Sequence, residues 1–114
     1  MTSKSCWKSF ERVVAAWFGV KRTPLSGGSS AHTRADIIHN KLFVECKLRK
    51  KFALWNLFEK TRTLAHKEAK IPVVAIKKKG CKGWLMLIDP EDLIDICEAN
   101  GLTIETKSSL PGYI

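Results

Sequence analysis

The stretch ADIIHNKLFVECK, Ala35 to Lys47, limits the fold of this chain more than any other. It reads as two apolar strands, about 35–39 and 42–48, joined by a turn near Asn40. A strand buries at least one face, and buried charge is costly unless something pairs it. Yet this hairpin carries Asp36, Glu45 and Lys47. Side chains alternate across a strand. Leu42, Val44 and Cys46 therefore point one way, toward a helix layer, while Phe43, Glu45 and Lys47 point the other. A turn near Asn40 sets the start of the first strand opposite the end of the second, so Asp36 comes close to Glu45 and Lys47.

The flanking sequence supplies the rest of a layered fold. Residues 4–19 have apolar residues at 7, 10, 13, 14, 17 and 18, which is helical spacing, and Gly19 fits a helix end. VKRTP is a short strand or extended exit, stopped by Pro24. Residues 54–70 are again helical in pattern. IPVVAIKK and WLMLI are strands on either side of the KKGCKG turn. In DPEDLIDICEANG, Asp89 is a helix cap, Pro90 takes the first helical position and Gly101 stops the helix. A further strand at 102–106 is a candidate. The order predicts one α/β domain over residues 1–114, a central mixed five-stranded sheet flanked by helices.

Twenty Lys and Arg stand against eleven Asp and Glu, for a net charge of +9. That balance favours a polyanionic partner, nucleic acid before an acidic membrane surface. There is no apolar run of about 18 residues to span a membrane. The N-terminus lacks the apolar core of a secretory signal. Cys6, Cys46, Cys81 and Cys97 are scattered, without a C-x-x-C pair, which argues against zinc and for free thiols in a reducing cytoplasm.

Two close carboxylates repel unless a proton or a cation sits between them. A hard divalent ion answers this, since it takes carboxylate and carbonyl oxygens and keeps several waters. Lys47, two residues beyond Glu45, is placed to hold or deprotonate such a water. The competing account is charged decoration at strand ends. Glu11 falls beside Trp7 and Phe18 at the edge of the apolar stripe of the first helix, off the wet side of Ser9 and Arg12. It belongs either to the acidic group or to a pair with solvent or a nearby Lys. The loop PLSGGSSAHTR is either a solvated turn or a flexible phosphate-meeting loop, through Ser26 with His32 and Arg34 close by.

Taken together, ER on the first helix, FGVKRTPLSGG, RADII, LFVECK and PVVAIKKKG resemble the archaeal-type Holliday junction resolvases (the Hjc family) of the PD-(D/E)XK nuclease superfamily. The resemblance runs from about Lys8 to Ile88. The E-x-K element is common to the superfamily, whereas Val20-Lys21-Arg22-Thr23-Pro24-Leu25-Ser26-Gly27 is closer to the resolvases. The resemblance implies a restriction-endonuclease-like fold. It implies that Asp36, Glu45 and the backbone carbonyl of Cys46 bind Mg2+, which Mn2+ can replace, with Glu11 completing the acidic group through water or a second ion. Lys47 would position or activate the attacking water, Ser26 would sit on a loop needed for cleavage, and Arg22 would lie near the scissile phosphate. Ala35 stands where the signature has Pro. Many superfamily members also bring a Gln from the following helix; LWNLFEKT has none, and only Asn56 or Lys60 could substitute.

The expectation is a magnesium-dependent endonuclease that resolves four-way DNA junctions by paired symmetric nicks. The family implies a homodimer presenting two sites on one basic surface, with Trp55, Trp84 or the last strand as partner surface, or with both Trp at the core edge. Lys50, Lys51, Lys60 and Arg62 would follow the DNA arms without reading bases. Two alternatives stand beside this: a repair nuclease or nickase with the same acids and lysine, and a non-catalytic junction-binding module. The expected location is cytoplasmic, on the nucleoid or in a host's cytoplasm.

Overall fold

The described strands are built around the central pair β3 and β4. IPVVAIKK forms β4 (Ile71–Lys78), and Val73, Val74 and Ala75 are fully buried in succession. Three consecutive buried residues require cover on both faces, the mark of an interior strand. β4 runs parallel to β3 (Leu42–Arg49), with Glu45 beside Val74 and Lys47 beside Ile76. A parallel pair needs a crossover connection, supplied here by α2 (Leu54–Lys67). In this computed structural model, which describes residues 3–24 and 33–102, the remaining strands flank that pair antiparallel. β1 (Lys21–Arg22) pairs with β2 (Ile37–Ile38), β2 with β3, and β5 (Leu85–Leu87) with β4. The sheet is five-stranded and mixed, in the order β1-β2-β3-β4-β5.

Both faces are covered. On one, α1 (Ser3–Phe18) lays Phe10, Val14, Ala15 and Phe18 over Ile37, Leu42, Val44, Cys46, Val73 and Ala75, joined by Ile96 of α3 (Leu93–Ala99). On the other, α2 sets Ala65 against Phe43, and Leu57 and Phe58 against Val74. Phe43, Glu45 and Lys47 therefore face the α2 side and Leu42, Val44 and Cys46 the α1 side, as strand alternation requires.

Element boundaries depart from the sequence expectation in informative places. α1 is turned relative to the expected stripe: Phe10, Glu11, Val14, Ala15 and Phe18 are buried, while Val13 and Trp17 are more than half exposed. The small Ala15 lets the helix approach the sheet on that side, and Trp17 closes over the rim against Trp84, ring centres 5.9 Å apart. α2 ends at Lys67 rather than 70, because Ala69 takes a positive φ of 54° so that the chain can enter β4. The first strand of the hairpin shortens to Ile37–Ile38, and residues 34–36 bend. The last helix starts as a single 3-10 turn, Pro90–Asp92, capped by Asp89 accepting from the Glu91 N–H at 2.9 Å. The candidate strand at 102–106 lies outside the described residues beyond Leu102.

The hairpin turn is held by a side chain. His39 is buried, and its Nδ1 accepts from the backbone N–H groups of both Lys41 (3.1 Å) and Leu42 (3.2 Å). An imidazole can accept at Nδ1 only when that nitrogen carries no proton. Burial holds the His39 pKa below its usual 6.5, an Asn100 hydrogen bond opposes this, and Lys70 and Lys41 lower it further. A folded pKa below the unfolded one means stability that is present above about 6.5 and lost as pH falls through the folded value. As pH is lowered below about 6.5, the melting temperature of the wild type should accordingly lose ground relative to that of His39→Ala. His39→Ala should remove that dependence at a cost of about 1–3 kcal/mol at neutral pH, read by chemical denaturation.

Candidate metal and phosphate site

The site forms where β2 stops and β3 continues. The Asp36 N–H donates to the Val44 carbonyl (3.1 Å), the last such bond between the two strands in this direction. Two residues along β3, the Cys46 N–H has no strand opposite it. It donates to the Asp36 carboxylate, at Oδ2, over 2.8 Å. Within a strand the N–H and C=O of one residue point to the same edge. The Cys46 carbonyl therefore faces the same gap as Asp36.

Asp36 is fixed from the other side by β1. The Thr23 N–H donates to the Asp36 carbonyl (2.9 Å), and the buried Thr23 hydroxyl donates to the Ala35 carbonyl (2.7 Å). Glu68, at the end of α2, holds the approach to this segment: it accepts from the Arg34 N–H (2.9 Å) and the Thr33 hydroxyl, and pairs with Lys70. Burial works against ionisation of Glu68, but these donors outweigh it and hold its carboxyl below the usual range.

Glu45 and Lys47 share the α2-side face, as expected from alternation, with Nζ and Oε2 3.3 Å apart. Glu45 is partly buried. Burial first, then the charge and hydrogen bonding of Asp36, push its carboxyl up to about 8, against the opposing pull of Lys47. Glu11 reaches the same place from the opposite face. It is nearly sealed, 3% exposed, and its Oε1 accepts from Arg22 Nε at 2.6 Å. Burial raises its pKa, the Arg22 hydrogen bond lowers it, and the Asp36 charge raises it, for a net upward shift. The buried Cys46 thiol feels all three acids: burial raises its pKa most, followed by Asp36, Glu11 and Glu45. Asp36 thus stands between two acids that approach from the two faces of the sheet.

This sharpens two expectations. Glu11 lies inside the packing face rather than at its edge, and its partner is Arg22. Arg22, expected beside a phosphate, spends its guanidinium on Glu11 with its side chain 22% exposed. That pairing offsets part of the charge of Glu11, which still meets Asp36. Among the described residues, no group of three or more His, Cys, Asp or Glu side chains is arranged to hold a metal ion. The donor set is instead two carboxylates, Asp36 and Glu45, plus the Cys46 carbonyl. Such a set suits a hard ion that keeps most of its waters.

The other expected site residues fall into three groups. Ser26 and His32 lie outside the described residues. Arg34, Lys50 and Lys51 are exposed, the last two just past the end of β3. On α2, Asn56 and Lys60 are exposed, whereas Leu57, Phe58, Thr61 and Ala65 are the buried positions. Arg62 is bound to Glu59 (2.8 Å) and Asp89 (3.1 Å) and lies over the Phe58 ring. Trp55 is 81% exposed beside an apolar groove formed with Leu54, Phe58 and Leu87, and Trp84 packs at the core edge against Phe10. Thr23 and Glu68 carried no sequence signal, because their roles are contacts between segments far apart in the chain. No described helix is long and apolar enough to cross a membrane. Comparison with protein-family models, curated proteins and solved structures returned no match.

A carboxyl raised from 4.5 to about 8 holds a proton that the unfolded chain has already lost. The contribution of Glu45 to metal-free stability should therefore fall as pH rises from 4.5 through 8. Glu45→Gln should raise the metal-free melting point at pH 8 by roughly 4–8 °C, corresponding to about 1 kcal/mol in a domain of this size. Arg22→Ala strips a buried acid of its partner and should cost about 1–3 kcal/mol by urea denaturation, with Arg22→Ala/Glu11→Gln recovering most of it.

Proposed function

We propose that this chain is a divalent-metal-dependent endonuclease acting on branched DNA, of the kind its sequence resembles, the junction resolvases of the PD-(D/E)XK superfamily. The observation that carries this reading is the gap at the end of β2. There Asp36, Glu45 and the Cys46 carbonyl meet, with Lys47 on the same face as Glu45. A purely structural account has no use for a second acid pushed up to about 8 beside the first.

In this reading Asp36 and Glu45, with the Cys46 carbonyl, would hold Mg2+ or Mn2+. When bound, the ion neutralises charge on the scissile phosphate and makes a coordinated water more acidic. Lys47 Nζ, which contacts Glu45 in this structure, would hold the attacking water toward phosphorus. The Cys46 N–H fixes the Asp36 carboxylate, so the site is organised before substrate arrives. Glu11 and Arg22 hold β1 and α1 against the acid-bearing segment. Cys46 serves through its main chain; its thiol is buried and stays protonated.

The substrate reading follows from charge and shape. A net charge of +9 suits phosphate backbones. A four-way junction has two-fold symmetry, which a homodimer matches. The apolar groove at Leu54, Trp55 and Leu87 supplies surface for a second copy.

With magnesium, the protein should nick a synthetic four-way junction at symmetric positions in two opposed strands and leave linear duplex largely uncut. Asp36→Asn and Glu45→Gln should abolish cutting, and Lys47→Ala should lower its rate about 10²–10⁴-fold, while gel-shift affinity for the junction persists. Normal cutting by Glu45→Gln would remove the site assignment. Absence of cutting with either metal, at intact junction affinity, would leave a binding module.

A further inference from the structure

The parallel register of β3 and β4 brings two lysine-rich segments, far apart in sequence, to one end of the sheet. Arg49 of β3 lies beside Lys78 of β4, and the Lys79 N–H donates to the Arg49 carbonyl at 3.0 Å. Lys50 and Lys51 follow from one strand, and Lys79 and Lys82 from the β4–β5 turn. Arg49, Lys50, Lys51, Lys78, Lys79 and Lys82 are all exposed, and among the described residues none of them forms an ion pair. Elsewhere on the described surface, Arg22, Arg62 and Lys70 are paired with acids.

The face they occupy is informative. Alternation along β3 puts Glu45, Lys47 and Arg49 on one face, and register puts Lys78 beside Arg49 on that same face. Neighbouring strands lie about 4.8 Å apart, and every second residue of a strand is roughly 7 Å along. Lys47, Arg49 and Lys78 thus form a continuous cationic track that begins at the acids of the site and leads onto the turn. Like charges directly beside each other in a sheet weaken it. The Arg49–Lys78 neighbour pair is therefore an expense to the free protein that a bound anion would remove. The turn itself is braced: Lys77, on the opposite face, donates through Nζ to the carbonyls of Cys81 (2.5 Å) and Gly83 (3.3 Å). That bracing holds the turn bearing Lys79 and Lys82 in place.

We infer that the β4–β5 turn is a phosphate-binding arm, and that Arg49, Lys78, Lys79 and Lys82 carry the DNA strand away from the scissile position along the α2-side face. This rests on the nuclease reading for its choice of DNA over an anionic membrane, since the track starts at the candidate phosphate site. It differs from that reading in placing the contact on a turn remote in sequence from the hairpin, and in demanding position rather than net charge.

The test is a charge-matched comparison on the full chain. Lys78→Ala/Lys79→Ala removes two cations from the track. Lys41→Ala/Lys67→Ala removes two exposed cations from the opposite end of the sheet, where β3 and β4 begin. Binding of a labelled four-way junction is measured without divalent ion over a salt series. The track variant should bind at least about tenfold more weakly, with the slope of log affinity against log salt shallower by about 2. The control should stay close to wild type. Thermal melting of the track variant should be unchanged or higher, which separates lost contacts from lost folding. Equal losses in both variants, or none in the track variant, would overturn the inference. So would binding to phosphatidylserine vesicles that depends on Lys78 and Lys79 while junction binding does not. Normal cutting by Glu45→Gln would overturn the nuclease site and leave the binding comparison standing on its own.

Discussion

One hydrogen bond organises this molecule: the Cys46 N–H donating to the Asp36 carboxylate at the point where β2 runs out. An exposed strand edge must satisfy its backbone donors somehow. Here a side chain takes the place of a strand, and the substitution has two consequences. It fixes a carboxylate in the sheet edge without lengthening β2. It also leaves the adjacent Cys46 carbonyl facing the same gap, so that two kinds of oxygen meet while Cys46 keeps regular strand geometry.

The surrounding structure serves that gap. Thr23 and the short β1 hold the Asp36 segment from outside, and Glu68 holds the residues that lead into it. His39 sets the turn on which the Asp36–Cys46 pairing depends, since a slip of one residue would send Glu45 and Lys47 to the α1 face. Glu11 and Glu45 press on Asp36 from opposite sides of the sheet. Arg22 relieves Glu11, but among the described residues Glu45 pairs only with Lys47, and its pKa rises to about 8. The result is an uneven pair of acids. One is held by a backbone donor, and the other is pushed toward its protonated form by burial and by its neighbour.

Much of this was legible in the sequence. Strand alternation placed Glu45 and Lys47 on one face, and the hairpin turn placed Asp36 beside them. Helical spacing found α1 and α2, and the Asp89–Pro90 start of the last helix was readable because caps are local chemistry. The failures have a common cause. The rotation of α1 that buries Glu11 and exposes Val13 and Trp17 depends on what the helix packs against, which its own periodicity cannot contain. The end of α2 at Lys67 depends on where β4 must begin. Beside the early end of β2 a side chain, Asp36, takes the Cys46 N–H in place of a strand, a contact between residues ten apart that no strand period encodes.

The sequence by itself determined the layered α/β class, the hairpin and the residue types of the site, because those follow from periods of 2 and 3.6 and from the chemistry of turns. Only the tertiary structure decided how those residues are used. It assigned Arg22 to Glu11, bound Arg62 to Glu59 and Asp89, and brought Arg49 and Lys78 side by side. Ion pairs and strand register join residues that are distant along the chain, and no local pattern encodes which distant partner a charge will meet.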